Sequence, residues 1–331
     1  MGRRFTRVLL CVVTIFSAVV IAVAQKPSAD QETSASWRSR LYTPTLLTQH
    51  DGRYFIVDCW HGRVLWSDSL DLPIAQWRTL DESLHGPHSI VGSGQYLFVE
   101  DTEAGAVRIY RKTPDSSYVS ESVITNLGNR PHRLQIDEKR KQLVALAGNS
   151  QELFFIETRP PFAVKERVEL PFLEHAYTRS FSIYGDEIFF VSGPGRITIA
   201  DLTKRPLTEV RSYSVPKGFE SMNDLFHSGT YWYLTATPQR ILRVKYLEDL
   251  ATFVPSGADT FYKALGLRGT PYYLQRIGDS IIIPEITEWS GFTSFREQGA
   301  EIRDSHQIFP IGEPDAVSVA RKAIVMTRPA S

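Results

Sequence analysis

The chain has 331 residues, 42% of them hydrophobic and 22% charged, with 37 basic and 37 acidic side chains. A formal charge of zero leaves no electrostatic footprint for nucleic acid, so no such partner is expected. The length allows one large or two ordinary domains, and glycine and proline are spread along it as turn-rich β folds require.

Residues 1–7, MGRRFTR, are basic, residues 8–24 form an apolar run, and Ala22-Val23-Ala24 precedes Gln25 as an A-x-A cleavage pattern. We read 1–24 as an export signal, with an uncleaved membrane anchor over 8–24 as the alternative. Either reading puts the remainder outside the cytoplasm, secreted or periplasmic, and only the second makes a membrane a partner. Residues 25–36, QKPSADQETSAS, read as a flexible tether. Loss of the signal removes Cys11 and leaves Cys59 without a disulfide partner. Cys59 then reads as a small buried residue at a strand end. The body, 37–331, is expected to be one domain.

From residue 43 onward one unit repeats: an apolar run, a polar turn, a second apolar run, another turn and a third run. The copies are 43–68, 86–112, 130–157, 177–202, 222–247 and 270–295. Gly52, Gly94, Gly185, Gly229 and Gly278 mark the first turn of five copies at intervals of about 45 residues, 94 to 185 being a double step. The third copy uses DEKRK at 137–141 instead. Between copies lie alternating runs such as YVSESVIT (118–125), as half-exposed outer strands do. No stretch shows a sustained helical period. Four short antiparallel strands per period predict an all-β fold, a β-propeller of four-stranded blades. Six copies are complete. EPDAVSVARKAIVMTR (313–328) reads as the first hairpin of a partial seventh, to which 36–42 would add an outer strand, and seven blades are slightly favoured over six.

In a propeller the innermost strands begin around one channel mouth, and the loops after the second strands return to it. Alignment of the copies brings His88, His132, Arg179, Asn223, Tyr272 and, in the partial copy, Asp315 to that mouth, with Leu46 from the first copy and Asp224 beside Asn223. The two histidines follow proline 44 positions apart (132 − 88). Second-strand ends add Asp58, Glu100, Asp101, Ser192 and Glu285, and their loops add His61 and Trp289. His85 and His175 precede blades and lie within reach. His50 and His227 fall on the opposite face, and His306 in an outer strand.

Convergent polar groups in a concave place are the pattern of a ligand site. In one reading Arg179 grips a carboxylate or phosphate while Tyr272 and Trp289 stack on a sugar or peptide. In a second, His88 and His132 with Asp315, Asp224 or Glu100 hold a divalent ion, zinc or calcium, for lyase or hydrolase chemistry. In a third, the Pro-His pairs are turn chemistry and the rim serves a protein partner. No local H-x-x-x-H, H-E-x-x-H or G-x-S-x-G pattern is present.

The segments PHSIVGSGQYLFVEDTEAGAVRI and YFIVDCWHGRV resemble the NHL-type group of propellers, in which an apolar strand ends in Asp and a turn leads into an Arg-Ile or Arg-Val strand. That group is similar to peptidyl-amidoglycolate lyase, virginiamycin B lyase and gluconolactonase-type proteins. The resemblance implies extracytoplasmic binding or metal-dependent catalysis around an axial site, with His88 and His132 at the matching positions. Arg179, Asn223 and Tyr272 stand where such a site would hold further histidines.

Overall fold

A computed structural model describes residues 37–173, 176–313 and 315–326. The expected export signal, anchor and tether, and His175, lie outside the described residues.

Six antiparallel sheets follow one another along the chain, each with its strands in sequence order. Blade 1 comprises Pro44–His50, Arg53–Asp58, Arg63–Ser67 and Arg78–Asp81. Blade 2 comprises Ile90–Ser93, Tyr96–Asp101, Ala106–Lys112 and Tyr118–Ile124. Blade 3 runs through Pro131–Asp137, Gln142–Ala147, Glu152–Glu157 and Val164–Glu169, and blade 4 through Thr178–Tyr184, Glu187–Ser192, Arg196–Asp201 and Glu209–Ser214. Blade 5 has Met222–His227, Trp232–Ala236 and Arg240–Val244. Blade 6 has a split inner strand, Thr270–Pro271 and Gln275–Ile277, then Ser280–Ile286, Gly291–Gln298 and Glu301–Gln307. His306 lies in that last outer strand, as expected.

The core is a ring of six apolar layers, one between each pair of neighbouring blades. Val57 and Val64 meet Ile90 and Val99 between blades 1 and 2, and the pattern repeats round to blade 6. The ring closes by packing of Leu47, Ile56 and Leu65 on Ile282 and Phe292. The second strands are buried on both faces and apolar through their middles, as in Phe55-Ile56-Val57. The first-turn glycines all have positive φ, from 57° at Gly278 to 97° at Gly229, which explains their recurrence.

Three expectations are corrected. Among the described residues, 313 and 315–326 form no hairpin and no seventh blade is present. Helix α2, Ala316–Val325, occupies that segment, and Asp315 Oδ1 accepts the Ser318 N–H at 2.8 Å as an N-cap would. The alternation of Val317 and Val319 imitates a strand, but alanine, arginine and lysine around them favour a helix. Of the expected outer strand over 36–42, the described residues 37–42 form none: Trp37–Ser39 is a short 3-10 helix, and Leu41 packs with Trp77 and Phe309 over the seam between blades 1 and 6. Blade 5 has three strands among the described residues. Its outer place is taken by Leu247–Thr252 and by helix α1, Pro255–Ala264, which packs on Arg240–Val244. Each helix is about three turns long, too short for a sustained helical period to stand out in the sequence.

Helix α2 is tied to the turn Cys59–His61. His61 Nε2 lies 2.8 Å from Ser318 Oγ, and the Lys322 ammonium sits 3.2 Å from the Trp60 ring centroid. His61 Nδ1 is 2.7 Å from Asp58 Oδ2, which also accepts from Arg63 Nε at 2.7 Å. This Asp–His–Ser chain has the order of a hydrolytic relay. All three residues are buried, Ser318 at 1% exposure, so it serves as a knot between the C-terminal helix and blade 1.

Candidate functional site

The innermost strands share a device that the sequence does not announce. Thr45, His132, Arg179 and Asn223 are each the extra residue of a β-bulge: the register skips them between Pro44 and Leu46, Pro131 and Arg133, Thr178 and Ser180, and Met222 and Asp224. A bulge re-aims one side chain out of the alternating pattern. Repeated in four blades, it turns one residue each toward the channel axis, either to the mouth or to the residues that line it. Leu46 is thereby corrected to Thr45, whose hydroxyl donates to His88 O at 2.8 Å while Leu46 joins the core. His88 and Tyr272 hold the corresponding places in blades 2 and 6.

The structure brings His88, His132, Arg179, Asn223 and Tyr272 together. The His88 and His132 rings stack with centroids 4.0 Å apart, and Tyr272 lies 6.2 Å from His88. His88 Nδ1 faces Gly86 O at 2.8 Å, so it carries the proton and leaves Nε2 as a base, 3.7 Å from Cys59 Sγ. His132 Nδ1 is 2.6 Å from the Tyr273 hydroxyl, which in turn lies 3.0 Å from Arg179 O. Both imidazoles are neutral. Burial, with the charges of Arg130 and Arg179, pushes the His88 pKa down to about 3. Burial, the adjacent His88 and the two arginines hold His132 well below the usual range.

Arg179 donates to Asn223 Oδ1 and lies over the Tyr177 ring at 5.5 Å. Burial works against its charge, yet the phenols of Tyr272, Tyr177 and Tyr273 raise its pKa, so it stays cationic. Asn223 is fully buried and donates to Pro271 O at 2.9 Å; it positions Arg179 rather than facing the opening. Among the described residues no carboxylate pairs with Arg179, whereas Arg130 has Glu103 at 2.9 Å.

The other predicted residues are placed elsewhere. Glu285 accepts the Arg268 and Gly269 amides at 2.6 and 2.7 Å and the Thr293 hydroxyl at 2.6 Å, so it anchors the start of blade 6. Glu100 accepts the His88 amide and the Thr102 hydroxyl in the same way, and burial raises its pKa well above the ordinary value. Asp58 and Asp101 accept the Tyr42 and His85 amides, both at 2.6 Å, and pair with Arg63 and Arg108. This is the physical content of the Asp-turn-Arg pattern: one carboxylate pins the incoming connection to the third strand. Ser192 pairs with Thr178. Asp224 lies below the mouth, with Ser180 Oγ at 2.7 Å and the Leu274 amide at 3.0 Å. Trp289 packs against Gly291 and Gly312 on the rim of blade 6, under the Arg268 guanidinium at 4.5 Å. Asp315 caps α2 and faces Arg40 at 3.4 Å. Among the described residues no three of His, Cys, Asp and Glu converge on one point.

Sequence reasoning missed Tyr177, Tyr273 and Arg130. Tyr273 neighbours Tyr272 but reaches across the channel to blade 3. Arg130 and Tyr177 precede their blades, and a basic or aromatic residue just before a repeat was the available signal.

No protein-family model matches the sequence. No curated protein matches it either. Solved structures do. A candidate 6-phosphogluconolactonase from Bacteroides fragilis superimposes with a TM-score of 0.58 at 12% identity, over 82% of this chain and 86% of that one. One from Bacteroides uniformis gives 0.59 at 11%, over 82% and 87%. The periplasmic gluconolactonase of Pseudomonas aeruginosa gives 0.57 at 15%, over 82% and 86%. The chain therefore shares the propeller fold of gluconolactonase-type proteins, in line with the resemblance to the NHL and gluconolactonase group. Among the described residues no helix is long and apolar enough to cross a membrane.

Proposed function

We propose that the chain is an exported propeller that binds a small anionic ligand, a carboxylate or phosphate on a sugar-sized molecule, at this mouth. The observation that carries the reading is Arg179. It is a half-buried guanidinium fixed by Asn223, ringed by tyrosines, with no described carboxylate to satisfy it. A buried cation without a counter-ion is costly, and an incoming oxyanion offsets that cost through paired N–H···O bonds. Tyr177, partly exposed, supplies a stacking face, and the neutral histidines supply polar edges without adding charge. The sugar acids implied by the names of the gluconolactonase-type neighbours have this chemistry. The apolar N-terminal segment supports a location outside the cytoplasm.

The test is thermal stabilisation by gluconate and 6-phosphogluconate in the wild type and in Arg179→Ala. A saturable rise in Tm, absent in the variant, is expected. A rise that persists in the variant, or no rise with either ligand, overturns the reading. Metal content measured alongside separates the alternative. Near-stoichiometric divalent metal, lost in a His88→Ala, His132→Ala double variant, would move the assignment to a metal-dependent lyase or hydrolase.

A further inference from the structure

The opposite end of the channel holds a second feature. A cavity of about 280 Å³ opens there, lined by the innermost strands of blades 1, 2, 3 and 6. At about 30 Å³ per water it has room for roughly nine waters. Its polar lining includes Thr48, His50, Arg133, Gln135, Glu138 and Gln275.

Arg133 is the unusual member. It is 7% exposed, its Nε is buried without a hydrogen-bond partner, and no described carboxylate lies within ion-pair distance. Its guanidinium carbon lies 4.2 Å from the centroid of the Tyr273 ring. Asp224 interacts electrostatically with Arg133 from beyond ion-pair distance, and its oxygens accept from Ser180 Oγ and the Leu274 amide. A buried donor such as the Arg133 Nε is not normally left unsatisfied in a folded protein. Around it, Gln135 Oε1 accepts the Ile183 amide at 2.8 Å, which leaves the two N–H bonds of its Nε2 to turn elsewhere. His50 is held to Gly94 O at 2.8 Å, and Glu138 sits exposed at the rim on Lys141, so the negative charge stays at the entrance rather than the base.

We propose that this lower cavity is a binding site for a small oxyanion, a carboxylate or phosphate, held by Arg133 with donors from Gln135, Gln275 and Thr48. The site is separate from the upper mouth. Tyr273 stands between them, with its ring on Arg133 and its hydroxyl on His132 and Arg179 O.

Two measurements test it on the whole protein. Crystals soaked in selenate, an anomalous scatterer shaped like phosphate, are expected to show a peak on the Arg133 guanidinium. Calorimetric titration with inorganic phosphate and with succinate distinguishes tetrahedral from carboxylate preference. In Arg133→Gln the affinity of the lower site is expected to fall by at least about tenfold. In Arg179→Gln it is expected to stay within about threefold. Selenate at Arg179 but not at Arg133 overturns the proposal and leaves the upper-mouth reading standing. Selenate at Arg133 alone supports it and counts against the upper site. A peak seen only in the soak, with no saturable heat at millimolar anion in solution, also overturns it. The wild-type soak decides even if Arg133→Gln does not fold.

Discussion

Replacing His88 with glutamine should change how stability depends on pH in a direction and amount that the structure sets. The imidazole is folded in its neutral form, with its pKa pushed down to about 3 by burial and by Arg130 and Arg179, against 6.5 for an ordinary histidine. The unfolded chain takes up a proton below 6.5 and the folded chain does not. The His88 contribution is therefore fully present above pH 6.5 and is lost as pH falls from 6.5 toward 3. At about 1.4 kcal/mol per pH unit, the span from 6.5 to 5 removes about 2 kcal/mol from the wild type and nothing from the His88→Gln variant. A native pKa of 4 instead of 3 would barely alter that figure at pH 5. Glu100 works in the opposite sense. Burial raises its pKa well above 4.5, so its share is present below 4.5 and is lost as pH rises through the folded value. It is common to both proteins and cancels in the difference, and His132, whose shift comes first from burial, stays depressed when His88 is replaced. Urea unfolding of both proteins at pH 8 and pH 5 checks this. The stability advantage of the wild type should shrink by about 2 kcal/mol between the two. A gap that moves by less than about 0.5 kcal/mol would mean that His88 titrates like a solvated imidazole, and the account of the mouth as a dry, positively charged niche would fail.

Asp58→Asn should cost about 3–5 kcal/mol in urea unfolding, because it leaves Arg63, itself 1% exposed, without its charge partner; a loss under about 1 kcal/mol would show that the knot is ornamental. Ser318→Ala removes the hydroxyl on His61 and should expose the C-terminal helix to limited proteolysis before blade 1 is cut. Cys59, fully buried and with its thiol pKa pushed well up by burial and by Glu100, should react with a disulfide reagent only at the rate of unfolding. Faster labelling of the native protein would mean that the mouth opens.

The repeat was legible because its punctuation is obligatory. A tight turn that needs positive φ selects glycine, and five first turns show it at the same phase. The end of the chain was not legible in the same way. Val317 and Val319 carry a period of two over too few residues to separate strand from helix, and the deciding contacts, His61 to Ser318 and Lys322 to Trp60, span more than two hundred residues. The site divides along the same line. His88 and His132 were found because the Pro-His pair repeats, and Arg179 and Asn223 because they align with it. The four carboxylates at the second-strand ends were expected at the channel mouth and instead accept backbone amides of the connections that lead into the inner strands, where those N–H groups need acceptors. The bulges re-aim His132 and Arg179, while hydrogen bonds to backbone amides hold these acids at the blade starts. The mouth holds the Arg179 charge with no described carboxylate paired to it although the whole chain is neutral. That local imbalance depends on which residues the backbone register brings together, which composition cannot report.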